Sequence, residues 1–158
     1  MIRKIKEEEQ KDLLAIAHKT GIFPEGEVEE LLGSTLSGYF SGELEERHHI
    51  LAIEDEVSRK AVGWSYFAPS FHAEGVWDIW WIGIDSSVQQ KGYGSKLLLH
   101  IEKMLKEQAV RLIIIETSSM ETLAKARKFY PKLGYQQCGI IPNFYAVGDD
   151  KVIFAKNI

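Results

Sequence analysis

One cysteine, Cys138, stands in 158 residues, so no internal disulfide can form and a reducing compartment is the expectation. No apolar run approaches the roughly 18 residues that cross a bilayer. The N-terminal segment Met-Ile-Arg-Lys-Ile-Lys-Glu-Glu-Glu turns charged without an apolar signal-peptide core. A basic excess is missing too: 19 Lys and Arg against 23 Asp and Glu leave a formal charge of −4, which argues against a general nucleic-acid binder. There is no internal repeat, low-complexity tract or composition shift of the kind that marks a linker. His48, His49 and His72 lack Cys or Glu partners at metal-ligand spacing, so no metal is expected. These absences leave a single domain over residues 1–158, cytoplasmic, with no membrane or nucleic-acid partner and enough mass to bury a core. The buried cysteine habit of folded proteins predicts an inert, buried Cys138.

What is present reads as alternating strands and helices. Ile2 to Ile5 alternates as a short strand, and Glu7 to Lys19 places Leu13, Leu14, Ile16 and Ala17 on one helical side. Phe23-Pro24-Glu25-Gly26 breaks the chain, after which Val28, Leu31, Leu32 and Leu36 space a second helix. His49 to Ile53 and Lys60 to Phe67 are strands joined by a polar turn. Val76 to Ile84 is apolar on both sides, Trp80, Ile82 and Ile84 alternating against Trp77, Ile79 and Trp81, which predicts a strand covered on both faces. Leu97, Leu98, Ile101, Met104 and Leu105 stripe a third helix, and Arg111 to Thr117 is another buried strand. Strand, helix, strand in that order is a parallel, right-handed βαβ unit. A fourth helix runs through Leu123, Ala126, Phe129, Tyr130 and Leu133 to a stop at Gly134, with Pro131 expected to kink or end it. Strands Tyr135 to Ile141 and Asp150 to Lys156 close the chain around a Pro-Asn-Phe-Tyr-Ala-Val-Gly-Asp loop. The order is βααβββαβαββ, an α/β fold.

Gln89-Gln90-Lys91-Gly92-Tyr93-Gly94-Ser95 joins the Val76 strand to the third helix. Glycines let the backbone approach a ligand, and the free N–H groups of a helix start, with Lys91 beside them, make an anion cradle. The segment thus reads as a seat for a phosphate-bearing cofactor, although Gly-x-Gly also occurs in ordinary tight turns. Downstream stands Phe129-Tyr130-Pro131-Lys132-Leu133-Gly134-Tyr135. The two motifs, in this order with one strand between, resemble the GCN5-related N-acetyltransferases over nearly the whole chain. Their Gln/Arg-x-x-Gly-x-Gly/Ala signature is matched by Gln89, Gly92 and Gly94, and their Phe-Tyr-x-Lys-Leu-Gly-Phe/Tyr helix by the second motif, with Pro131 the departure.

The resemblance implies a central mixed sheet of six to seven strands flanked by helices, with strands four and five splayed. It implies acetyl-coenzyme A as acyl donor, its pantetheine arm added between those strands like a further one. Ile82, Gly83 and Ile84 would contact pantetheine, and Gln90, Lys91, Gly92, Tyr93, Gly94 and Ser95, with Gln89, would hold the phosphates. Thr117, Ser118, Lys125 and Phe129 would flank the cofactor on its other side.

Acetyl transfer to an amine needs a base, a polarised thioester and an acid for the leaving thiolate. Asp78 is the one acid in the apolar Trp77 to Ile84 run, where burial would raise its pKa toward a useful base. The resembling enzymes keep a carboxylate at that distance before the first motif glycine. A strand-end carboxylate satisfied by water or a backbone donor is the plainer alternative. Tyr130 is the acid, as the Tyr of Phe-Tyr is in the family, against a plain packing role. Tyr145 is a second candidate, rated as substrate-binding first, with Phe23, His72 and Trp80 as further acceptor contacts. The expected activity is direct acetyl transfer to a primary amine, a small molecule before a protein N-terminus or lysine. A non-catalytic acetyl-coenzyme A sensor is the rival of another class. Acceptor identity is not readable from fold resemblance, and a homodimer is the prior for assembly.

Overall fold

Residues with alternating apolar side chains become strands in the computed structural model, which describes residues 1–158 except Glu25, His72 and Gln90. The strands are β1 (Ile2–Lys4), β2 (His49–Glu54), β3 (Ala61–Pro69), β4 (Val76–Ile84), β5 (Leu112–Ser118), β6 (Gln136–Ala146) and β7 (Asp149–Asn157). The helices are α1 (Gln10–Thr20), α2 (Ser34–Ser41), α3 (Tyr93–Glu107) and α4 (Ala124–Lys132). One seven-stranded sheet runs in the order β1-β2-β3-β4-β5-β7-β6. It is mixed: β4 and β5 are parallel, while β1–β2, β2–β3, β5–β7 and β6–β7 are antiparallel. The expected parallel βαβ unit is therefore β4-α3-β5. Its ladder pairs Val76–Ile79 with Leu112–Ile115, after which β4 runs on to Ile84 and β5 to Ser118.

The chain divides into two compact units, Met1–Ala68 with Trp81–Ile101, and Pro69–Trp80 with Glu102–Ile158. In the first, Leu13, Ile16 and Ala17 of α1 are buried with Leu32, Leu36, Ile50, Trp64 and Trp81. The Trp64 indole would be costly to bury without a partner. Its Nε1–H donates to the Leu13 carbonyl at 2.8 Å, tying β3 to α1. In the second, Tyr130 packs against Phe154 and Tyr135 at centroid separations of 5.4 and 6.1 Å. Trp77, Ile79, Ile113, Ile115 and Val152 are buried in the same unit.

Several expectations are corrected. β4 buries one face only: Trp77, Ile79 and Trp81 are covered, whereas Trp80 is 64% exposed beside half-buried Asp78, Ile82 and Ile84. Apolar character on both sides does not bury both when only one is packed. Leu31 is 51% exposed, because Val28–Gly33 winds as a π-helix whose wider turn breaks the 3.6-residue stripe. The segment expected as a loop after Ile141 is strand, since β6 continues to Ala146 and the chain turns at Val147-Gly148. Four residues, Pro142 to Tyr145, bulge between the pairs Ile141↔Lys151 and Ala146↔Asp149. Cys138 is exposed, because β6 lies at the sheet's edge. Pro131 sits in the last turn of α4, which ends at Lys132.

Candidate active site

The β4–α3 turn in the first unit is built before any ligand is considered. Asp85 closes β4, its N–H donating to the Val62 carbonyl at 2.8 Å. Its carboxylate accepts from the Ser87 N–H at 2.9 Å, the Ser87 hydroxyl at 2.8 Å and the Lys19 ammonium at 2.7 Å. Burial alone would raise the Asp85 pKa, but Lys19 and Ser87 hold it below the ordinary value. Gln89 reaches back, Nε2 donating to the Ile84 carbonyl at 3.4 Å. Gly92 has φ +81, a left-handed conformation that favours glycine, although no atom lies within 4 Å of where its Cβ would be. The turn thus requires glycine there for backbone shape rather than for room.

From Gly92 the helix begins, the Lys96 N–H donating to the Gly92 carbonyl at 3.0 Å. The preceding amides at its start are free of intrahelical partners, as at any helix N-terminus, and the exposed Lys91 adds a positive charge. Tyr93 is buried and turned inward, its hydroxyl donating to Asp55 Oδ2 at 2.7 Å. Only its main chain is left for a ligand. Gly94 and Ser95 are half-buried in the first turn of α3. Backbone N–H of Ser58, then Tyr93, hold the Asp55 carboxylate well below its usual range. Ile82 and Ile84 are half-buried, with Gly83 covered between them. Phe23 packs on Trp81 at 5.4 Å as part of that unit's core. Gln90 and His72 lie outside the described residues.

The second unit holds Asp78, Tyr130 and Tyr145. Asp78 is half-buried on the open side of β4, and Ser70 Oγ donates to its Oδ2. Burial pushes its pKa up, Ser70 pulls it down, nearby Glu116 pushes it up and Lys151 pulls it down, with a net rise. Strand register explains the company. Asp78 pairs with Ile114, so Glu116, two residues along β5, shares its face, and Ser118 of β5 pairs with Lys151. Lys151 Nζ lies 2.6 Å from Glu116 Oε2 and 3.6 Å from the Phe144 ring centroid. Tyr145 joins them at 5.8 Å from Lys151 Nζ to its ring centroid, its pKa raised by burial and then by Glu116. Sequence reasoning missed Glu116 and Lys151. The signal available was one acid, Glu116, directly after the apolar run Leu112–Ile115 in the same strand.

Tyr130 is buried, and desolvation pushes its phenol up to about 12. Phe129 is half-buried edge-on to it, at 5.5 Å between centroids. Lys125 is exposed on α4. Thr117 is buried, while the Ser118 hydroxyl donates to Asp149 and accepts from the Met120 N–H at 3.0 Å. Arg127, also unforeseen, donates to the Ser118 and Met120 carbonyls at 2.7 Å each and holds the β5–α4 turn. Structure therefore groups Asp78 with Tyr145 around Glu116 and Lys151, and Phe129 with Tyr130. Trp80 stands on Asp78's face of β4, open to solvent.

The sequence model of the acetyltransferase (GNAT) family matches residues 10–135, and the chain belongs to that family. No curated protein is significantly similar to it in sequence. Among solved structures, a GNAT-family chain from Desulfovibrio desulfuricans superposes with a TM-score of 0.89 at 23% identity, covering 99% of this chain and 98% of that one. The ribosomal-protein-S18-alanine N-acetyltransferase from Escherichia coli gives 0.72 at 20% identity over 100% and 93%. An aminoglycoside 6'-N-acetyltransferase complexed with coenzyme A gives 0.70 at 17% over 99% and 96%. At these identities the superpositions establish a shared fold. Among the described residues no helix is long and apolar enough to cross a membrane.

Proposed function

We propose that this chain is an acetyl-coenzyme A-dependent N-acetyltransferase that acetylates a primary amine, a small molecule before a protein, by direct attack. The observation that carries the reading is Asp78, a half-buried carboxylate of raised pKa on an open strand face in a family of acetyltransferases. The β4–α3 turn fits the donor's phosphates: it offers a Gly-shaped backbone, helix-start amides and Lys91. Ile82 to Ile84 would meet the pantetheine arm through the main chain. In the reaction the amine nitrogen bonds to the thioester carbonyl carbon while Asp78 accepts the amine's proton. The C–S bond then breaks, and Tyr130 gives its hydroxyl proton to the departing sulfur. A phenol near 12 is a weak acid, so it donates only as sulfur takes up negative charge. Asp78 favours a cationic acceptor, Glu116 being already paired with Lys151, and the exposed Trp80 and Tyr145 offer faces for its carbon skeleton.

The exposed Phe144-Tyr145 bulge favours a second reading, transfer to a protein N-terminal or lysine amine. An acceptor screen of small amines beside peptides, with acetyl-coenzyme A and detection of released thiol, separates the two. Asp78→Asn and Tyr130→Phe should each lower kcat by roughly 10²-fold or more, with coenzyme A affinity changed little. Full activity in both variants across a pH series would overturn the assignment. Coenzyme A binding with no turnover of any acceptor would favour a sensor.

A further inference from the structure

Strands β5 and β7 bury one face and leave the other open. Ile113, Ile115, Val152 and Phe154 are buried, and Phe154 packs on Tyr130 of α4. On the other face Ile114, Ser118, Lys151 and Ile153 are half-buried and Glu116 is exposed. Pairing sets Asp78 of β4 opposite Ile114, Ile153 opposite Glu116 and Lys151 opposite Ser118. By the strand period, the charged residues that β4, β5, β6 and β7 bring to this open face are Asp78, Glu116, Asp149 and Lys151. Lys156 lies on the buried side, opposite Ile113, and so does Asp150. Among the described residues of these strands, Lys151 is thus the one cation on a face with three carboxylates.

Its ammonium is held as a bound amine would be. Nζ lies 2.6 Å from Glu116 Oε2 and 3.6 Å from the Phe144 ring centroid, and the side chain is only 12% exposed. A carboxylate beside an aromatic face recognises an amine cation, and here the chain supplies that cation itself. Glu116 stands diagonal to Asp78, one strand across and two residues along, which standard strand spacing and rise put about 8 Å apart. A short diamine spans that gap, with one ammonium for each carboxylate. Asp149 is no substitute for Glu116: it accepts the Ser118 hydroxyl and lies two residues beyond Lys151, further from Asp78. We propose that Lys151 selects acceptors carrying a single positive charge, by filling the seat that the second ammonium of a diamine would take. The inference rests on the reading of Asp78 as the group that receives the acceptor amine. The acceptor is then a monoamine with an apolar body, which Ile114, Ile153 and the exposed Trp80 on the same face receive.

Steady-state assays with pentylamine and 1,5-diaminopentane test this. Calorimetric binding of the same two amines, with coenzyme A present, gives a readout independent of turnover. The wild type should favour pentylamine about tenfold or more in both, because juxtaposed like charges are costly on a partly desolvated face. Lys151→Met keeps an apolar stem and removes the charge. It should abolish or reverse the preference, chiefly by lowering the KM and dissociation constant of the diamine. Lys151→Arg should retain the wild-type preference, and adding Glu116→Gln to Lys151→Met should cancel the gain for the diamine. A wild type that favours the diamine overturns the proposal, a result that stands even if Lys151→Met fails to fold. So does a folded Lys151→Met variant that keeps the wild-type ratio or binds neither amine. If neither amine is acetylated by any variant, the acetyl-transfer reading fails for this acceptor class, while the binding ratios still decide the role of Lys151.

Discussion

Ser70 is the group that keeps Asp78 usable as a carboxylate, and Ser70→Ala tests this. Burial is the largest influence on Asp78 and raises its pKa, while the Ser70 hydroxyl is the largest opposing one. A hydrogen bond to a charged group contributes about 1.5–3 kcal/mol when fully desolvated. Asp78 is only half-buried, so water replaces much of what is lost, leaving about 0.7–1.4 kcal/mol. Losing that bond should therefore raise the Asp78 pKa further above its ordinary value. The assay is a carbon-13 NMR titration of the side-chain carboxyl, assigned by its loss in Asp78→Asn. Where an acceptor is known, the acid limb of kcat/KM should move to higher pH by the same amount. An unchanged or lowered midpoint in Ser70→Ala would refute the reasoning. Stability follows with a definite sign. A folded pKa above the unfolded one contributes stability that is fully present below the unfolded value and is lost as pH rises through the folded value. At neutral pH the charged Asp78 is therefore a cost. Asp78→Asn should melt at the same or a higher temperature near pH 7, with any gain fading below about pH 4.

Two further outcomes test the scaffold under the β4–α3 turn. Gly63→Ala would put a Cβ 2.9 Å from the Gly83 carbonyl oxygen and into the Ile84 side chain, so β3 and β4 must part. Overpacking of this kind costs about 1–3 kcal/mol, and at about 2–4 °C per kcal/mol calorimetry should show a loss of several degrees. An unchanged melting temperature would mean that the strands yield freely. Tyr93→Phe removes the hydroxyl that ties α3 to Asp55. Coenzyme A affinity, measured by titration calorimetry, should fall several-fold, and equal affinity would show that the turn holds its shape without that anchor.

The positions of β4 and α3 were legible because their causes are short-range. The bounds Val76–Ile84 follow from an apolar run between turn residues, and Leu97, Leu98 and Ile101, all buried, repeat with the helical period. Gly92 was likewise legible, since a left-handed φ favours one residue type wherever it occurs. Trp80 misled for the opposite reason: its residue type is apolar, but exposure depends on what packs against that face of β4. The π-turn that turns Leu31 outward has no marker in composition or spacing.

Family and turn chemistry thus came from the sequence itself: Gln89, Gly92 and Gly94, then Phe129-Tyr130, encode backbone geometry and helix starts that need no distant partner. Tertiary structure alone decided which charges meet. Asp78, Glu116 and Lys151 come together from β4, β5 and β7 by strand register, and only there does the balance of burial, hydrogen bond and charge on Asp78 exist. Exposed Cys138 and the bare β6 edge are of the same kind, because an edge is defined by the neighbour a strand lacks. Local propensity acts over a few residues, whereas pairing and burial join residues far apart in the chain.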